Sequence, residues 1–536
     1  MAVIQSDLVV VGGGLAGMVT ALETARAGLS VTLVDRHPPQ HFGGLARWAF
    51  GGMALVGTPL QARRKIPDSP ERALADWLRF GELAPDDRHA LAWAKHYVEH
   101  SRPRVYDWLL NEGLKFMPAV NWVERGRHGE GNSLPRYHLL WGTARHMVDR
   151  LTSALQGPEL AGRVRILHGH RATGIEQTDG RISAVVAVDE RDQTETRLDA
   201  GVVVVASGGI NGSLAQVRKH WPTDRPQPAE LLNGAHPHAD GAMHQLVGKQ
   251  FDGRIVRAGE MWNYAAGVPH PRPLFDGHGL SLIPCKSALW LNHRGERIGP
   301  EPLVTGFDTH WLCRRVAGQE KPWTWQLLNR RIARRELAIS GAEHNPRIKN
   351  RQFLRFVAGL VLGSSRLLND MLDQSPHFIC APGLEALAAK MNRLTGDDHV
   401  QPAALRATVE AYDANFASGS RLENDPQIRM IRHARQWGPD RLRTCRPAPL
   451  QNRRDGPFIA IHTRLITRKS LGGLRTDLGS RVLDRHGIPV AGLYCVGEAA
   501  GFGGGGACGK RSLEGTFLPG CILTARAAAQ AIVQGG

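Results

Sequence analysis

The residues with the clearest chemical meaning form a glycine-rich turn near the start of the chain. Gly12, Gly14 and Gly17 have the GxGxxG spacing, in which the first glycine permits a tight turn, the second lets backbone approach a pyrophosphate and the third allows close helix–strand packing. Asp35 follows 18 residues after Gly17, close to the spacing of the acid that binds a ribose hydroxyl. This arrangement predicts a site for the phosphates and ribose of a dinucleotide.

The turn needs a strand before it and a helix after it. Residues 8–11 are an apolar, β-rich run, a helix-forming segment follows the turn, and residues 30–34 form a second predicted strand that ends at Asp35. The N-terminus of the helix then faces the phosphates. An acid at this point favours an unphosphorylated ribose, although the adjacent Arg36 leaves a phosphorylated ribose as the alternative.

Two glycine pairs, at 43–44 and 51–52, follow the acid, where a flavoprotein needs backbone to wrap a ribityl chain and a flavin ring. From this point the chain resembles the fumarate reductase/succinate dehydrogenase flavoprotein superfamily. Within that superfamily it is similar to the FAD-binding dehydrogenases that resemble 3-ketosteroid Δ1-dehydrogenase. Residues 131–138, 340–346 and 467–473 carry the narrower resemblance.

The resemblance implies that both ends of the chain bind FAD. Family members hold ribityl hydroxyls with a Gly-Glu turn, which matches Gly497 and Glu498, and an ATGG-like turn matches residues 206–210. The helix that opens near Phe517 would stabilise negative charge on the reduced ring. Leu45 stands where a covalently flavinylated relative carries histidine, so non-covalent FAD is expected. The expected cofactor-binding residues are Gly12, Gly14, Leu15, Ala16, Gly17, Asp35, Arg36, Gly43, Gly44, Leu45, Gly51, Gly52, Ser207, Gly208, Gly497, Glu498, Gly515, Thr516 and Phe517.

The same resemblance points to four candidate catalytic residues. Flavin dehydrogenation needs a base and a hydrogen-bond donor for a nearby carbonyl, and tyrosines do much of this in the steroid enzymes. Tyr137 and Tyr264 have the aromatic and basic neighbours expected of a substrate wall, with a buried, satisfied hydroxyl as the alternative. Arg468 replaces the histidine of a fumarate reductase HxTMGG segment, and Arg511 matches the position that binds substrate carboxylate there. For both arginines a salt bridge is the alternative.

These features predict an FAD-dependent oxidoreductase acting on CH–CH bonds, which dehydrogenates a hydrophobic, ketone-bearing substrate similar to a 3-ketosteroid. The second hypothesis is the reverse reaction, reduction of an unsaturated acid or ketone. The third is a flavin-retaining binder of anionic surfaces or nucleic acid. Contact of Arg468 and Arg511 with one carboxylate would favour the reductase, whereas a tyrosine hydroxyl at a ketone would favour the dehydrogenase.

The length of the chain sets the expected architecture. Its 536 residues exceed the roughly 250–300 at which single cores stop growing. We expect an α/β fold, a Rossmann-like (GR2-type) FAD-binding domain of residues 1–255 and 457–536 with an inserted α+β cap domain of residues 256–456 that faces the substrate. The seven cysteines form no CxxC pair, and no metal site is predicted.

The chain is strongly basic, with a net charge of +17. The densest basic cluster, residues 329–356, carries no nucleic-acid-binding motif. We expect a solvated basic face, with an anionic ligand or peripheral contact with a membrane surface as the alternative. No apolar run reaches the length of about 18 residues that a membrane helix needs, and no export signal is present, so a cytoplasmic protein is expected. The electron acceptor and the oligomeric state are left open.

Leu45 generates a prediction about how the cofactor is attached. Because leucine cannot form the flavin bond that histidine forms, acid-precipitated protein should release all its flavin into the supernatant as FAD. Chromatography of the supernatant and the absorbance of the pellet provide the measurement. Flavin that stays with the precipitated chain, or FMN as the sole flavin, would contradict the prediction.

Overall fold

The computed structural model describes residues 2–127, 131–417, 424–511 and 513–535. Its central element is a six-stranded sheet that contains the strand before the glycine turn. Leu8–Val11 is buried and pairs in parallel with Val31–Asp35 on one side and Val202–Val205 on the other. The strands, in spatial order, are Arg481–Leu483, Pro489–Cys495, Val202–Val205, Leu8–Val11, Val31–Asp35 and Val164–His168.

The two ends of the chain meet on this sheet. Helix Leu15–Arg26 leaves the glycine turn and packs against Phe517–Val533, the last helix. Their apolar faces share one core, in which Met18, Leu22 and Ile522 are fully buried. This packing places the two segments that the sequence assigns to the flavin next to each other.

A second large sheet is built from the middle of the chain around the long strand Phe458–Ser470. That strand pairs antiparallel with Met261–Pro269 on one side and with Trp323–Asn329 on the other. Its strands are Leu289–Leu291, Trp323–Asn329, Phe458–Ser470, Met261–Pro269, Gly279–Ile283, Ala338–Ile339, Leu232–Asn233 and Phe378–Ala381.

Three smaller sheets and a set of helices complete the fold. The smaller sheets comprise Ala2–Gln5, Glu195–Asp199, Arg181–Asp189 and His170–Thr178; Gly52–Ala54, Tyr137–Leu140 and Phe116–Asn121; and Ile255–Val256 with Gly473–Leu474. The remaining α-helices are Gly44–Trp48, Pro59–Arg63, Pro70–Gly81, Arg88–His100, Asp107–Asn111, Thr143–Leu155, Leu214–Lys219, Ala242–Gln250, Thr309–Ala317, Arg330–Glu336, Pro346–Lys349, Phe353–Leu362, Arg366–Gln374, Leu384–Thr395, Pro402–Asp413, Pro426–Gln436 and Gly438–Arg443.

The predicted α/β class is confirmed, since a mostly parallel sheet with helices on it holds both chain ends. The domain boundaries at 255/256 and 456/457 stay a prediction. Phe458–Ser470 lies immediately after the second boundary and forms the middle of the mid-chain sheet, so it is the strand that connects the two regions.

Candidate active site

A deep cleft opens where the parallel strands of the six-stranded sheet end. It contains about 1580 Å³ of space between protein atoms, a volume that includes the open mouth of the cleft. Segments from both chain ends and the end of Phe458–Ser470 line it. The predicted cofactor residues on its wall are Gly12, Gly14, Leu15, Ala16, Asp35, Arg36, Gly44, Leu45, Gly51, Gly52, Ser207, Gly208, Glu498 and Phe517.

Gly14 leaves space for a ligand group beside the start of a helix. A Cβ built on Gly14 would meet no described heavy atom within 4 Å, whereas the other glycines of the turn are tightly packed. Helix Leu15–Arg26 begins there, with Gly14 as its N-cap and no described side chain capping the first turn. The unpaired N–H groups and the helix dipole therefore favour an anion such as a pyrophosphate.

Gly12 and Gly17 act through packing. A Cβ on Gly12, whose φ is +112°, would lie 2.4 Å from the carbonyl oxygen of Ala206. A Cβ on Gly17 would lie 1.9 Å from the carbonyl oxygen of Gly12. Gly17 therefore stands behind the wall of the cleft and holds the helix against the turn.

Four other predicted cofactor residues also stand outside the lining of the cleft. Gly43 precedes helix Gly44–Trp48 with φ +112°, and Thr516 is the N-cap residue of the last helix. Gly497 donates its N–H to Thr524 Oγ1 over 2.9 Å. A Cβ on Gly515 would lie 2.7 Å from Ala54 N. These residues shape the backbone of the cleft and do not face its interior.

Asp35 lies on the wall of the cleft, at the end of strand Val31–Asp35. Its Oδ2 accepts from Gly13 N over 2.6 Å, and its Oδ1 accepts from His37 N over 2.8 Å. Burial raises the pKa of Asp35, and these two backbone hydrogen bonds oppose the rise. Arg36 is engaged by Glu190 at 2.8 Å and Asp240 at 2.9 Å, so its guanidinium is neutralised by protein carboxylates.

Glu498 occupies the other side of the cleft. Its Oε1 accepts the N–H of Ser470 over 2.8 Å, which ties the Gly-Glu turn to the end of the long strand. Burial raises the pKa of Glu498, and the Ser470 hydrogen bond and the charge of Lys469 oppose the rise. A buried carboxylate with remaining lone pairs is suited to accept hydroxyl groups of a bound ligand.

Tyr137 and Tyr264 line the same cleft and differ in their hydrogen bonds. The Tyr264 hydroxyl donates to Glu514 Oε2 over 2.8 Å, and the same oxygen accepts from Trp262 Nε1 over 2.9 Å. Alternate residues of a strand share a face, which is why Trp262 and Tyr264 reach one carboxylate. The Tyr137 hydroxyl has no hydrogen-bond partner among the residues that the structure describes. Glu514 was not among the site residues predicted from the sequence.

Arg468 and Lys469 both line the cleft because the strand is bulged at this point. Trp262 pairs with Lys469 and Asn263 pairs with Thr467, so Arg468 is an extra residue without an opposite partner. A bulge interrupts the strict alternation of side chains and re-aims one of them. The family resemblance selected Arg468, whereas Lys469 was not predicted, since neighbouring residues of a regular strand point to opposite faces.

The two cations have few partners. Arg468 donates to the carbonyl oxygen of Gly234 over 2.5 Å and forms no ion pair with a described carboxylate. The Lys469 ammonium lies 4.0 Å from the ring centroid of Phe517. Burial lowers the pKa of Lys469, and the charge of Glu514 opposes this change. The cleft thus holds positive charge that the described protein groups only partly neutralise.

Arg511 does not face the cleft. Its guanidinium pairs with Asp308 at 3.1 Å and with Glu82 at 3.4 Å, and it lies 5.7 Å from the ring centroid of Phe80. The structure therefore brings Tyr137, Tyr264 and Arg468 together and leaves Arg511 in an ion-pair cluster.

A second chamber adjoins the cleft. Phe50, Tyr137, Tyr264, Ser340 and Glu514 line both, so they form the boundary between them. Burial raises the pKa of Glu124, a residue of the chamber wall, to about 8, and the neighbouring Asp308 adds to the rise. The other charged residues of the wall are Lys286, Glu336, Asp440 and Arg443.

One histidine cluster bears on the expectation that there is no metal. Ligand atoms of His270, Glu343 and His344 lie within 4.8 Å of one another. Arg272 also approaches Glu343, at 3.4 Å, which gives this carboxylate a partner without an ion. The absence of a metal stays a prediction.

The residues present fit FAD. The open side of Gly14 and the uncapped helix start suit the pyrophosphate, Asp35 suits a ribose, and Glu498 suits the ribityl hydroxyls. The last helix, Phe517–Val533, also begins at the cleft without a side-chain cap from the described residues, so its positive end faces the cavity. A dinucleotide with a redox-active ring would match each of these features.

The comparisons with known proteins agree with this geometry. The family model of an FAD binding domain matches residues 7–518. A KsdD-like steroid dehydrogenase of Mycolicibacterium smegmatis is 38% identical over 533 residues, which cover 96% of each chain. The solved structure of a 3-ketosteroid Δ1-dehydrogenase from Sterolibacterium denitrificans, in complex with 1,4-androstadiene-3,17-dione, gives a TM-score of 0.73 at 17% identity, over 99% of this chain and 100% of that one. The solved structure of a flavocytochrome c3 fumarate reductase in its open conformation gives a TM-score of 0.69 at 20% identity. The match covers 99% of this chain and 78% of that one.

The fold and the cleft thus define a flavin-dependent oxidoreductase, and the predicted cofactor, FAD, is confirmed. The chain belongs to the FAD-binding family whose members include the KsdD-like steroid dehydrogenases.

The different surroundings of Gly14 and Gly17 generate a prediction. Gly14→Val should fold and lose flavin, because its side chain would occupy only the open space beside the helix start. Gly17→Val should lose the fold as well, because its Cβ would collide with the Gly12 carbonyl. Flavin absorbance and circular dichroism of the purified variants are the measurements. A Gly14→Val protein with full flavin occupancy would show that this turn does not contact the cofactor.

Proposed function

We propose that the enzyme dehydrogenates a 3-ketosteroid-like ketone, using Tyr137, Tyr264 and Arg468 at the substrate. The observation that carries the proposal is the pair of tyrosines at the boundary between the cleft and the second chamber. The Tyr264 hydroxyl is bonded to a carboxylate, and the Tyr137 hydroxyl has no partner among the described residues. The relatives named steroid dehydrogenases support the substrate class. Bound FAD would supply the acceptor for a hydride.

Tyr264 and Glu514 would remove the proton. Because the Tyr264 hydroxyl donates to Glu514, its oxygen can accept a proton from a substrate carbon while its own proton passes to the carboxylate. Burial and the nearby Glu514 keep the pKa of Tyr264 well above its usual value, so a free tyrosinate would not accumulate. A concerted transfer through the pair avoids forming that charge.

Tyr137 would polarise the ketone. Burial, with Glu514 nearby, raises the pKa of Tyr137, so its hydroxyl stays protonated and can donate to a carbonyl oxygen. Withdrawing electron density from that carbonyl makes the neighbouring C–H acidic. Gly52 leaves room for this ring, since a Cβ there would lie 1.8 Å from the Tyr137 hydroxyl.

Arg468 and Lys469 would stabilise negative charge as it develops on the reacting groups. Both line the cleft, and the described carboxylates leave Arg468 without an ion pair. The placement of Arg511 in an ion-pair cluster outside the cleft supports dehydrogenation over the reduction of an unsaturated acid, because contact of both arginines with one carboxylate is what would favour the reductase. We leave Arg511 out of the proposed machinery.

We also propose a cytoplasmic location. All seven cysteines are free thiols, which supports a reducing compartment. Fractionation of cells that produce the native chain tests this location.

Anaerobic bleaching of the flavin tests the substrate class. Enzyme-bound FAD is mixed with a panel of 3-ketosteroids, simpler cyclic ketones and saturated acids, and its absorbance is followed. Bleaching by ketosteroids and not by saturated acids is expected. Bleaching by the acids alone would contradict the proposal.

The proposed roles generate a prediction about substitutions. Tyr264→Phe and Glu514→Gln should each slow flavin bleaching by about 100-fold or more, because general-base catalysis contributes about 10²–10⁴-fold. Arg468→Ala should slow it by about one to two decades through loss of a charge-assisted contact, and Arg468→Lys should rescue part of this. FAD should remain bound in all of them.

Tyr412→Phe is the matched control, because Tyr412 is a buried tyrosine of the mid-chain core. Its bleaching rate should equal that of the unsubstituted enzyme. An unchanged rate in Tyr264→Phe would remove this tyrosine from the mechanism, and an unchanged rate in Arg468→Ala would make Arg468 a structural residue.

A further inference from the structure

Helix Phe353–Leu362 presents an apolar surface to solvent. It contains no buried residue, and Leu354 is 83% exposed, Leu362 73% and Val361 62%. On the opposite side of the helix, the centroid of the Phe356 ring lies 6.1 Å from that of the Trp141 ring. Single exposed leucines are ordinary, but a whole helix with this exposure marks an interaction surface.

Arginines surround the end of this helix. A surface hollow beside Val361 and Leu362, which we call the arginine hollow, has eight arginines and one carboxylate, Asp455, among the described residues of its wall. Arg331 forms an ion pair with this carboxylate, with 2.9 Å between Arg331 Nε and Asp455 Oδ2. The exposed side chains among the remaining arginines include those of Arg330, Arg334, Arg441 and Arg454.

The described carboxylates compensate only part of the charge of this region, through pairs such as Arg331 with Asp455 and Arg366 with Asp370. Residues 330–366 contain nine Arg or Lys residues and two acids, and one of these acids, Glu336, is buried and bonded to Ser287. Burial lowers the pKa of Arg435 in the hollow, and the like charge of Arg446 contributes. Like charges held this close favour binding of an external anion.

We propose that helix Phe353–Leu362 and the arginine hollow bind the surface of an anionic lipid bilayer, with the helix in the acyl boundary and the arginines on lipid phosphates. An apolar helix face bordered by arginines is the pattern of an interfacial segment. No described helix is both long and apolar enough to cross a membrane. The positive charge of this surface favours an anionic lipid over a second copy of the chain as its partner, since two such basic surfaces would repel each other.

A groove lies between this surface and the second chamber of the active site. It begins under the helix at Phe356 and Leu360 and shares Arg443 with the second chamber. Phe50 lines the groove, the chamber and the cleft. An apolar substrate that leaves the bilayer at this helix would therefore enter a groove next to the second chamber, a consequence that rests on the proposed function, whereas lipid binding does not.

Vesicle flotation with the intact FAD-bound enzyme tests the proposal. Binding to vesicles that contain phosphatidylglycerol is expected, together with little binding to pure phosphatidylcholine and loss of binding at high salt. The double substitution Leu354→Ser, Leu362→Ser should weaken binding by about tenfold or more, because burying one leucine is worth about that factor. Replacing Arg330, Arg441 and Arg454 by Gln should weaken the binding to phosphatidylglycerol.

Ile488→Ser is the matched control, since Ile488 is 60% exposed but directly precedes strand Pro489–Cys495 of the six-stranded sheet. It should bind vesicles like the unsubstituted enzyme. Flavin content and bleaching rate in detergent solution, measured on every variant, separate a failure here from a failure of the proposed chemistry. No binding to phosphatidylglycerol vesicles, or binding that the leucine substitutions leave unchanged, would overturn the proposal. A dimer that these substitutions convert to monomer would also overturn it.

Discussion

Ser470 joins three separate parts of the chain at the edge of the active site. Its N–H donates to Glu498, its hydroxyl donates to Asn211 Oδ1 over 2.8 Å, and the same hydroxyl accepts from Ile210 N over 2.9 Å. Asn211 in turn donates to Thr467. Each buried polar group left without a partner would cost about 1–3 kcal/mol, so this network strongly favours one arrangement. Because it fixes where Phe458–Ser470 ends, it also fixes the residues that this strand directs into the cleft.

Part of this arrangement can be predicted from sequence, because it is local. The strand, the glycine turn and the acid at Asp35 follow from spacing within one βαβ unit, and the structure places Gly14 and Asp35 on the wall of the cleft as expected. The resemblance also selected Tyr137, Tyr264 and Arg468, which meet at one cavity although far apart in sequence.

The rest depends on contacts that local patterns do not encode. Lys469 joins Arg468 in the cleft only because the strand is bulged, and Glu514 meets Trp262 and Tyr264 only through the long-range packing of the C-terminal segment against the mid-chain strand Met261–Pro269. Arg511 was expected at the substrate, but the carboxylate of Asp308 holds it elsewhere. The basic cluster could be found from the sequence composition alone. The exposure of the apolar helix beside it could be seen only in the folded structure.

The central claim is that one proton leaves through Tyr264 and Glu514 while a hydride leaves the adjacent carbon. Stopped-flow bleaching of the flavin, with a ketosteroid deuterated at each of the two carbons in turn, measures this most directly. Deuterium at either carbon should slow flavin bleaching, and Glu514→Gln should increase the isotope effect at the proton-donating carbon. Bleaching that is insensitive to deuterium at both carbons under single-turnover conditions, or reoxidation of the reduced enzyme by unsaturated acids with no bleaching by any ketosteroid, would contradict this claim.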